Sequence, residues 1–277
     1  MSFIGKLQNI DRRWLYLLAW IFVLYPLINP LGLPVPIQKE STAWNKAVND
    51  IPDGSVVVFS CMFSIASIPE LYPMTIATFS HLMTKNVKII VATFWNDGAL
   101  VFDQTLLKQI DPATYGKVYG KDWIDLGYAP GAETAMRAFA DDMVNTFPKD
   151  YINSQPTGSY EIMQNVKTAA DVDIIVSFES GTPGVGEWLR QWNTPYGTKL
   201  IVGCSGVSAP GMAPYLQSGQ LSANLPGLTS TAEYEKLINR PALAIAGVDA
   251  VSMSHLLVVL LVILGNIGYF ASRGGKS

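Results

Sequence analysis

The chain has 277 residues, a net charge of −3 and only 15% charged residues, with two His and two Cys. That length suits one large domain or two small ones, and the His and Cys are too few for a histidine-based metal site or a disulfide framework. Residues 40–250 hold 13 Lys and Arg against 21 Asp and Glu, a net of −8 that repels phosphates and excludes nucleic acid as a partner.

The first predicted element is a membrane helix. Trp14 to Leu33, "WLYLLAWIFVLYPLINPLGL", carries no charge, and roughly 20 helical residues cross a bilayer core. Pro26 and Pro30 kink or end it, leaving its outer third irregular. No small-x-small cleavage site follows, so it reads as an uncleaved anchor. A second block, Met253 to Ala271, is uncharged apart from the titratable His255. Lys6, Arg12 and Arg13 precede the first block, and Arg273 and Lys276 follow the second. The inner flanks hold only Lys39, beside Glu40, and Asp249. The positive-inside rule then puts both termini in the cytoplasm. The expected layout is a tail over 1–13, a span over 14–33, an extracytoplasmic domain over 34–250, a span over 251–271 and a tail over 272–277. Membrane lipid is the first partner this implies.

Between the blocks, apolar runs alternate with amphipathic stretches. Ser55–Cys61, Val87–Trp95, Asp122–Tyr128, Val172–Glu179 and Thr198–Ser205 read as strands. Four are rich in Val and Ile with little alternation, as in strands buried on both faces; the third is more polar and belongs nearer an edge. Glu70–Lys85, Gly98–Ile110, Ala132–Phe147, Tyr160–Ala170 and Gly184–Asn193 read as helices. This is the pattern of an α/β, Rossmann-like or flavodoxin-like three-layer domain with a mostly parallel sheet of about five strands. Cys61 and Cys204 each end a strand, where a free Cys serves as a small apolar residue, although an oxidising compartment would allow the two to pair. Asn239 and Pro241 can open one continuous helix running to Ala271, although "ALAIAGV" also reads as a sixth strand.

In open parallel sheets, ligands sit beyond the carboxyl ends of the strands. Those ends read "CMFS" (61–64), "WNDG" (95–98), "GYAPGAE" (127–133), "ESGTPGVG" (179–186) and "CSGVSAPG" (204–211). Tight turns need Gly, Ser and Pro for their own sake, so the plain alternative is that these are only turns. In the fourth loop Thr182 can cap a helix that starts at Pro183, with Gly184 and Gly186 leaving N–H groups open to an anion. Candidate catalytic residues are Glu179, Ser180, Asp97 and Ser205; candidate ligand-binding residues are Thr182, Gly184, Gly186 and Glu133.

Neither a Walker A sequence nor G-x-G-x-x-G occurs, so no cofactor is expected. With His81 inside the first domain helix and His255 at the start of the second block, no Ser–His or Cys–His hydrolase set assembles. Without C-x-x-C or H-E-x-x-H, no metal is expected either. Asp97, Glu133 and Glu179 can divide acid and base roles; the plainer roles are an Asx-turn and a helix N-terminus. Asp141–Asp142 and Glu233–Glu235 read as solvated faces.

"PYLQSGQLSANLPGLTSTAEYEKL" (Pro214–Leu237), with "PELYPM", "YGKDWIDLGYAPG" and "SGTPG", resembles an uncharacterised prokaryotic family of membrane-anchored α/β proteins. The resemblance covers most of the outer domain and implies no activity. The segment is amide- and hydroxyl-rich and poor in charge, which suits burial against another chain or a large covering loop. No reaction is identified. The expected function is a non-catalytic scaffold or accessory subunit, as a homo-oligomer or with other membrane proteins. The alternative is a small-ligand receptor or hydrolase-type enzyme using the strand-end loops.

Overall fold

A computed structural model describes residues 11–274, with side chains through residue 270. The chain divides into two compact units, one of residues up to Val35 and from Ala242 onward, the other Pro36–Pro241. Lys6 and Lys276, two of the expected inner-face cations, lie outside the described residues.

The first unit is a pair of helices packed on one another, α1 (Arg12–Ile28) and the last helix of the chain, a single run over Leu243–Gly274. Within that run Leu243–Phe270 is long and apolar enough to cross a membrane. The other helix has 17 residues, shorter than the span expected over 14–33. It stops where Pro30 disfavours helical geometry at the preceding Asn29. Both helices leave large apolar side chains exposed, among them Trp14, Trp20, Ile21, Val259, Ile263 and Ile267.

An anion seat ties the pair. The buried Asp249 carboxylate accepts the backbone N–H groups of Leu31 and Gly32 on Oδ2 at 2.7 and 2.8 Å, and that of Leu33 on Oδ1 at 3.0 Å. Gly32 sits at φ +64, the left-handed geometry that turns successive N–H groups to one side. Asp249→Ala strands three donors, each costing about 1–3 kcal/mol if left dry. We expect it to expose residues 29–35 to limited proteolysis, with Asp249→Asn intermediate; cleavage no faster than in wild type would dismiss the clamp.

The second unit is α/β. After α2 (Lys39–Asn49) come β1 (Val56–Met62), α3 (Ile68–Met83), β2 (Lys88–Thr93) and α4 (Asn96–Val101), which continues through a π-turn at Phe102–Leu106. Then follow β3 (Trp123–Tyr128), α5 (Glu133–Asp141), β4 (Ile174–Glu179), α6 (Val185–Trp188), β5 (Lys199–Cys204), α7 (Ala209–Gln217), β6 (Ala223–Pro226) and α8 (Gly227–Leu237). The long final helix is α9. All strand pairs are parallel, in the order β3-β2-β1-β4-β5-β6. That is the doubly wound Rossmann order; a flavodoxin-like sheet would place β1 second from one edge.

Two cores flank the sheet. One gathers Trp44, Phe59, Phe79, Phe102 and Tyr234 beneath α2, α3, α4 and α8; the other gathers Met136, Phe139, Trp188, Trp192 and Met212 beneath α5, α6 and α7. Cys61 belongs to the first core and Cys204 to the second. Both are free; they face opposite sides of the sheet, with strand β4 between their strands, beyond disulfide reach.

Several expectations change. Pro214–Leu237 is not a covering loop: it supplies the end of α7, β6 and α8. Its first residues, Pro214–Gln220, are largely exposed, whereas most of Leu221–Glu235 is buried in this chain's own core. The sixth strand is therefore Ala223–Pro226, and "ALAIAGV" lies in α9. Glu233 and Glu235 are buried, not solvated. Glu233 accepts from the Gln38 N–H at 2.9 Å and the Ser41 hydroxyl at 2.5 Å, which compensates much of the desolvation. Asn239 does not open α9; in the left-handed region at φ +52 it closes α8, its N–H donating to the Lys236 carbonyl at 3.1 Å and the Arg240 N–H to the Glu235 carbonyl at 2.9 Å. Tyr160–Ala170 breaks into the short turns Glu161–Gln164 and Ala169–Asp171.

Candidate functional site

The strand order reverses between β1 and β4, where a Rossmann sheet opens its ligand crevice. Here the loops close that crevice themselves. The Ser64 N–H donates to Ser180 Oγ at 3.4 Å, the Ile65 N–H to Asp97 Oδ2 at 3.2 Å, and Trp95 Nε1–H to the Pro183 carbonyl at 3.1 Å. Ser180 and Asp97 are thus occupied in joining the β1, β2 and β4 loops.

The open space lies one strand further along, between the loops after β4 and β5. It is a cavity of about 400 Å³ lined by Glu179, Thr182, Gly184, Gly186, Glu187, Arg190, Ser208, Met212 and Tyr215, among others. Alternation along β4 explains the split. Glu179 shares the face of Ile175, which packs beneath α6 and α7, whereas the neighbouring residue of an extended chain turns the other way. Glu179 and Ser180 therefore serve different spaces. Ser205 reaches the cavity only through Ser208, its Oγ 2.9 Å from the Ser208 Oγ.

Glu179 is the distinctive group. Its side chain is 3% exposed, and Oε2 has no hydrogen-bond partner. Burial is the largest influence and raises its pKa to about 8; the Val185 N–H opposes that shift and the Glu187 charge adds to it. The carboxyl is kept close by a missing side chain: a Cβ on Gly184 would come 2.9 Å from Glu179 Oε2 and 2.5 Å from the Gly181 carbonyl.

The predicted anion seat is already taken. The helix begins at Val185 with Gly184 as its cap, so neither Thr182 nor Pro183 opens it. The Gly184 N–H donates to Glu187 Oε2 at 2.7 Å. Arg190 is engaged too: Nε and Nη2 donate to Glu133 at 2.8 and 3.0 Å, and Nη2 to Glu187 at 2.6 Å. Glu133 does not line the cavity; it opens α5 and braces Arg190 from outside. That pairing and the Gln191 amide hold its carboxyl well below the usual range.

The histidines contribute nothing here. His81 Nδ1 is 2.8 Å from Tyr234 Oη, and burial lowers its pKa to about 4. Among the described residues no group of three His, Cys, Asp or Glu could hold a metal. A second cavity, of about 430 Å³, lies at the amino ends of β4 and β5 beside Asp173, Lys199 and Ser222. Its Lys46 and Asp50 are paired at the surface, with side chains 73% and 59% exposed, so its similar volume comes without a buried polar group to read a ligand.

Glu187, Arg190, Ser208, Met212 and Tyr215 were missed by the sequence reading. The G-x-x-E spacing of Gly184 and Glu187 was the available signal, being the second half of a capping box. No protein family, curated protein or solved structure matches the chain.

Proposed function

We propose that this protein is a membrane-anchored receptor that binds a small polar molecule in the cavity at the carboxyl ends of β4 and β5. The observation that carries the reading is Glu179: a carboxyl oxygen, buried and unpartnered, at the wall of a solvent-sized space. Buried polar groups without partners are rare in native proteins and cluster where a ligand completes them. Binding rather than turnover is supported, because Ser180 and Asp97 are tied to loop backbone and neither histidine lines the space.

The anchoring half of the proposal is two spans with both termini cytoplasmic and the α/β unit outside. It is supported by the apolar α9, by the lipid-suited exposed faces of α1 and α9, and by the positions of Arg12, Arg13 and Arg273 in the sequence. Trp14 and Tyr16 near the start of α1, with Tyr269 and Phe270 near the end of α9, suit an interfacial aromatic belt.

Gly211 gives a clean test. It lines the cavity, and a Cβ there meets nothing within 4 Å. Gly211→Trp should fill the space without disturbing the fold. Screening small polar molecules by thermal shift on the detergent-solubilised full chain should yield compounds that stabilise wild type and not Gly211→Trp. If every stabilising compound acts equally on both proteins, the cavity is not the site.

A second reading, the non-catalytic scaffold, is favoured by one observation. Val207 is 90% and Ile65 60% exposed, both on strand-end loops, and such side chains suit contact with another membrane protein or a second copy. On that reading Gly211→Trp leaves assembly size unchanged and Val207→Asp reduces it.

A further inference from the structure

Resting on that cavity reading, we infer that the ligand carries a protonated amine, and that the ammonium docks on Glu179 Oε2. Three observations converge. The positive groups that would attract an anion are spent: the Gly184 N–H holds Glu187, and Arg190 is held by Glu133 and Glu187. The charged residues lining the space are then Glu179, Glu187 and a neutralised Arg190. Lastly, the acceptor without a partner is itself a carboxyl oxygen, on a residue only 3% exposed that lines the cavity and is backed closely by Gly184, where a Cβ would clash with it. An ammonium brings the donors and the charge this pocket lacks, while Met212 and Tyr215 offer a wall for an apolar stem and a ring face for the cation. A carboxylate ligand would face Glu187 with Arg190 already paired, and a neutral alcohol would gain a hydrogen bond to the protonated Glu179 carboxyl but no ion pair.

Proton bookkeeping separates this from nonspecific attraction. The groups facing Glu179 are Glu187 and Arg190 on the α6 segment, Glu133 on α5 behind Arg190, and Cys204 on β5, with Glu70 of α3 near the β5 loop through the Gly206 N–H at 2.9 Å. Burial raises the Cys204 thiol to about 12, so Glu179 is the group here that titrates near neutrality. Below its raised value of about 8 it is protonated in the empty cavity. Pairing with an ammonium ionises it, and the proton passes to the buffer. Binding therefore strengthens about tenfold per pH unit up to roughly pH 8 and levels above.

The experiment is calorimetry on the detergent-solubilised full chain at pH 7 in two buffers of different ionisation enthalpy. Probes are primary alkylammonium chlorides from ethyl to hexyl, with carboxylates and alcohols of matched chain length. The expected result is saturable binding of ammonium compounds with release of close to one proton, weakened at least about tenfold in Glu179→Gln and abolished in Gly211→Trp. If carboxylates or alcohols bind as tightly as amines, and Gly211→Trp abolishes that binding, the amine inference falls and the cavity reading stands. If no probe binds wild type more tightly than Gly211→Trp, both fall. Should Glu179→Gln unfold, Thr182→Trp at the exposed rim supplies the second block, and amine binding that survives both blocks overturns the inference.

Discussion

Gly98→Ala is expected to destabilise the α/β unit by more than about 3 kcal/mol, at the upper end of what overpacking costs. A Cβ at this position would stand 1.8 Å from the Cys61 carbonyl oxygen, 2.9 Å from the Cys61 carbonyl carbon and 2.7 Å from Thr93 Oγ1. The obstacle is backbone of β1, a strand hydrogen-bonded on both sides by β2 and β4, so it cannot step aside. Thr93 is fixed as well, donating its hydroxyl to the same carbonyl at 2.6 Å. The first turn of α4 therefore rests directly on the end of β1, and hydrogen is the only side chain that fits. Urea unfolding of the solubilised chain provides the check, with Gly211→Ala as the control, since nothing stands within 4 Å of that Cβ. The control should match wild type or exceed it by up to about 1 kcal/mol, as Gly→Ala in an exposed helix does. A Gly98→Ala midpoint equal to the control would mean that α4 and β1 are not in this contact.

The second large effect is on pH dependence. Burial raises Glu179 from 4.5 to about 8 and Asp125, whose Oδ2 is also buried and unpartnered, from 3.8 to about 7. An acid raised on folding binds more protons in the folded state than in the unfolded state between those limits. Stability is therefore full below the unfolded value and falls as pH rises, for Glu179 from roughly pH 4.5 to 8 and for Asp125 from roughly 3.8 to 7. Each group can supply up to about 1.4 kcal/mol per pH unit, a total of a few kcal/mol for Glu179. Glu133 and Asp171 have the opposite sign, being lowered on folding by hydrogen bonds, but they act in acid and are exposed to solvent. Wild type should lose stability between pH 5 and 8. Glu179→Gln should flatten the slope and exceed wild type at pH 8, and Asp125→Asn should flatten its lower part. Parallel curves for wild type and both variants would mean that neither carboxyl is held neutral.

The consequence for function follows from the same burial. An unpartnered carboxyl weakens the folded state at neutral pH, and a ligand that completes it restores that stability by mass action. This is the usual relation between a strained site and its ligand.

The sheet was legible because four strands announced themselves as Val- and Ile-rich runs and a fifth as a more polar one. The edge position of β3 followed from its polarity, and Asp125 sits in that strand. What periodicity could not reveal was β6, four residues ending in Pro226, too short and too polar to stand out from a loop. Its helix misled for a related reason. Glu233 and Glu235 look like surface residues by type, and in Glu233 the burial rests on partners distant in sequence, Gln38 and Ser41. Of the candidate site, Glu179, Thr182, Gly184 and Gly186 were found through the rule that ligands sit at strand ends, and all four line one cavity. Ser180 and Asp97 obeyed the same rule but close the β1–β4 crevice, because loop-to-loop hydrogen bonds depend on three-dimensional register that spacing does not encode. Arg190 carried no signal of its own; its role follows from Glu133 and Glu187 converging on it.

The most direct test of the account is a carbon-13 titration of the Glu179 carboxyl in glutamate-labelled full chain, assigned by its absence in Glu179→Gln. The expected result is a midpoint near the raised value of about 8 in the free protein, shifting downward when hexylammonium chloride is added and unmoved by the amine in Gly211→Trp. A midpoint in the ordinary glutamate range, indifferent to both amine and cavity block, would contradict the claim that Glu179 is a buried group waiting for a ligand.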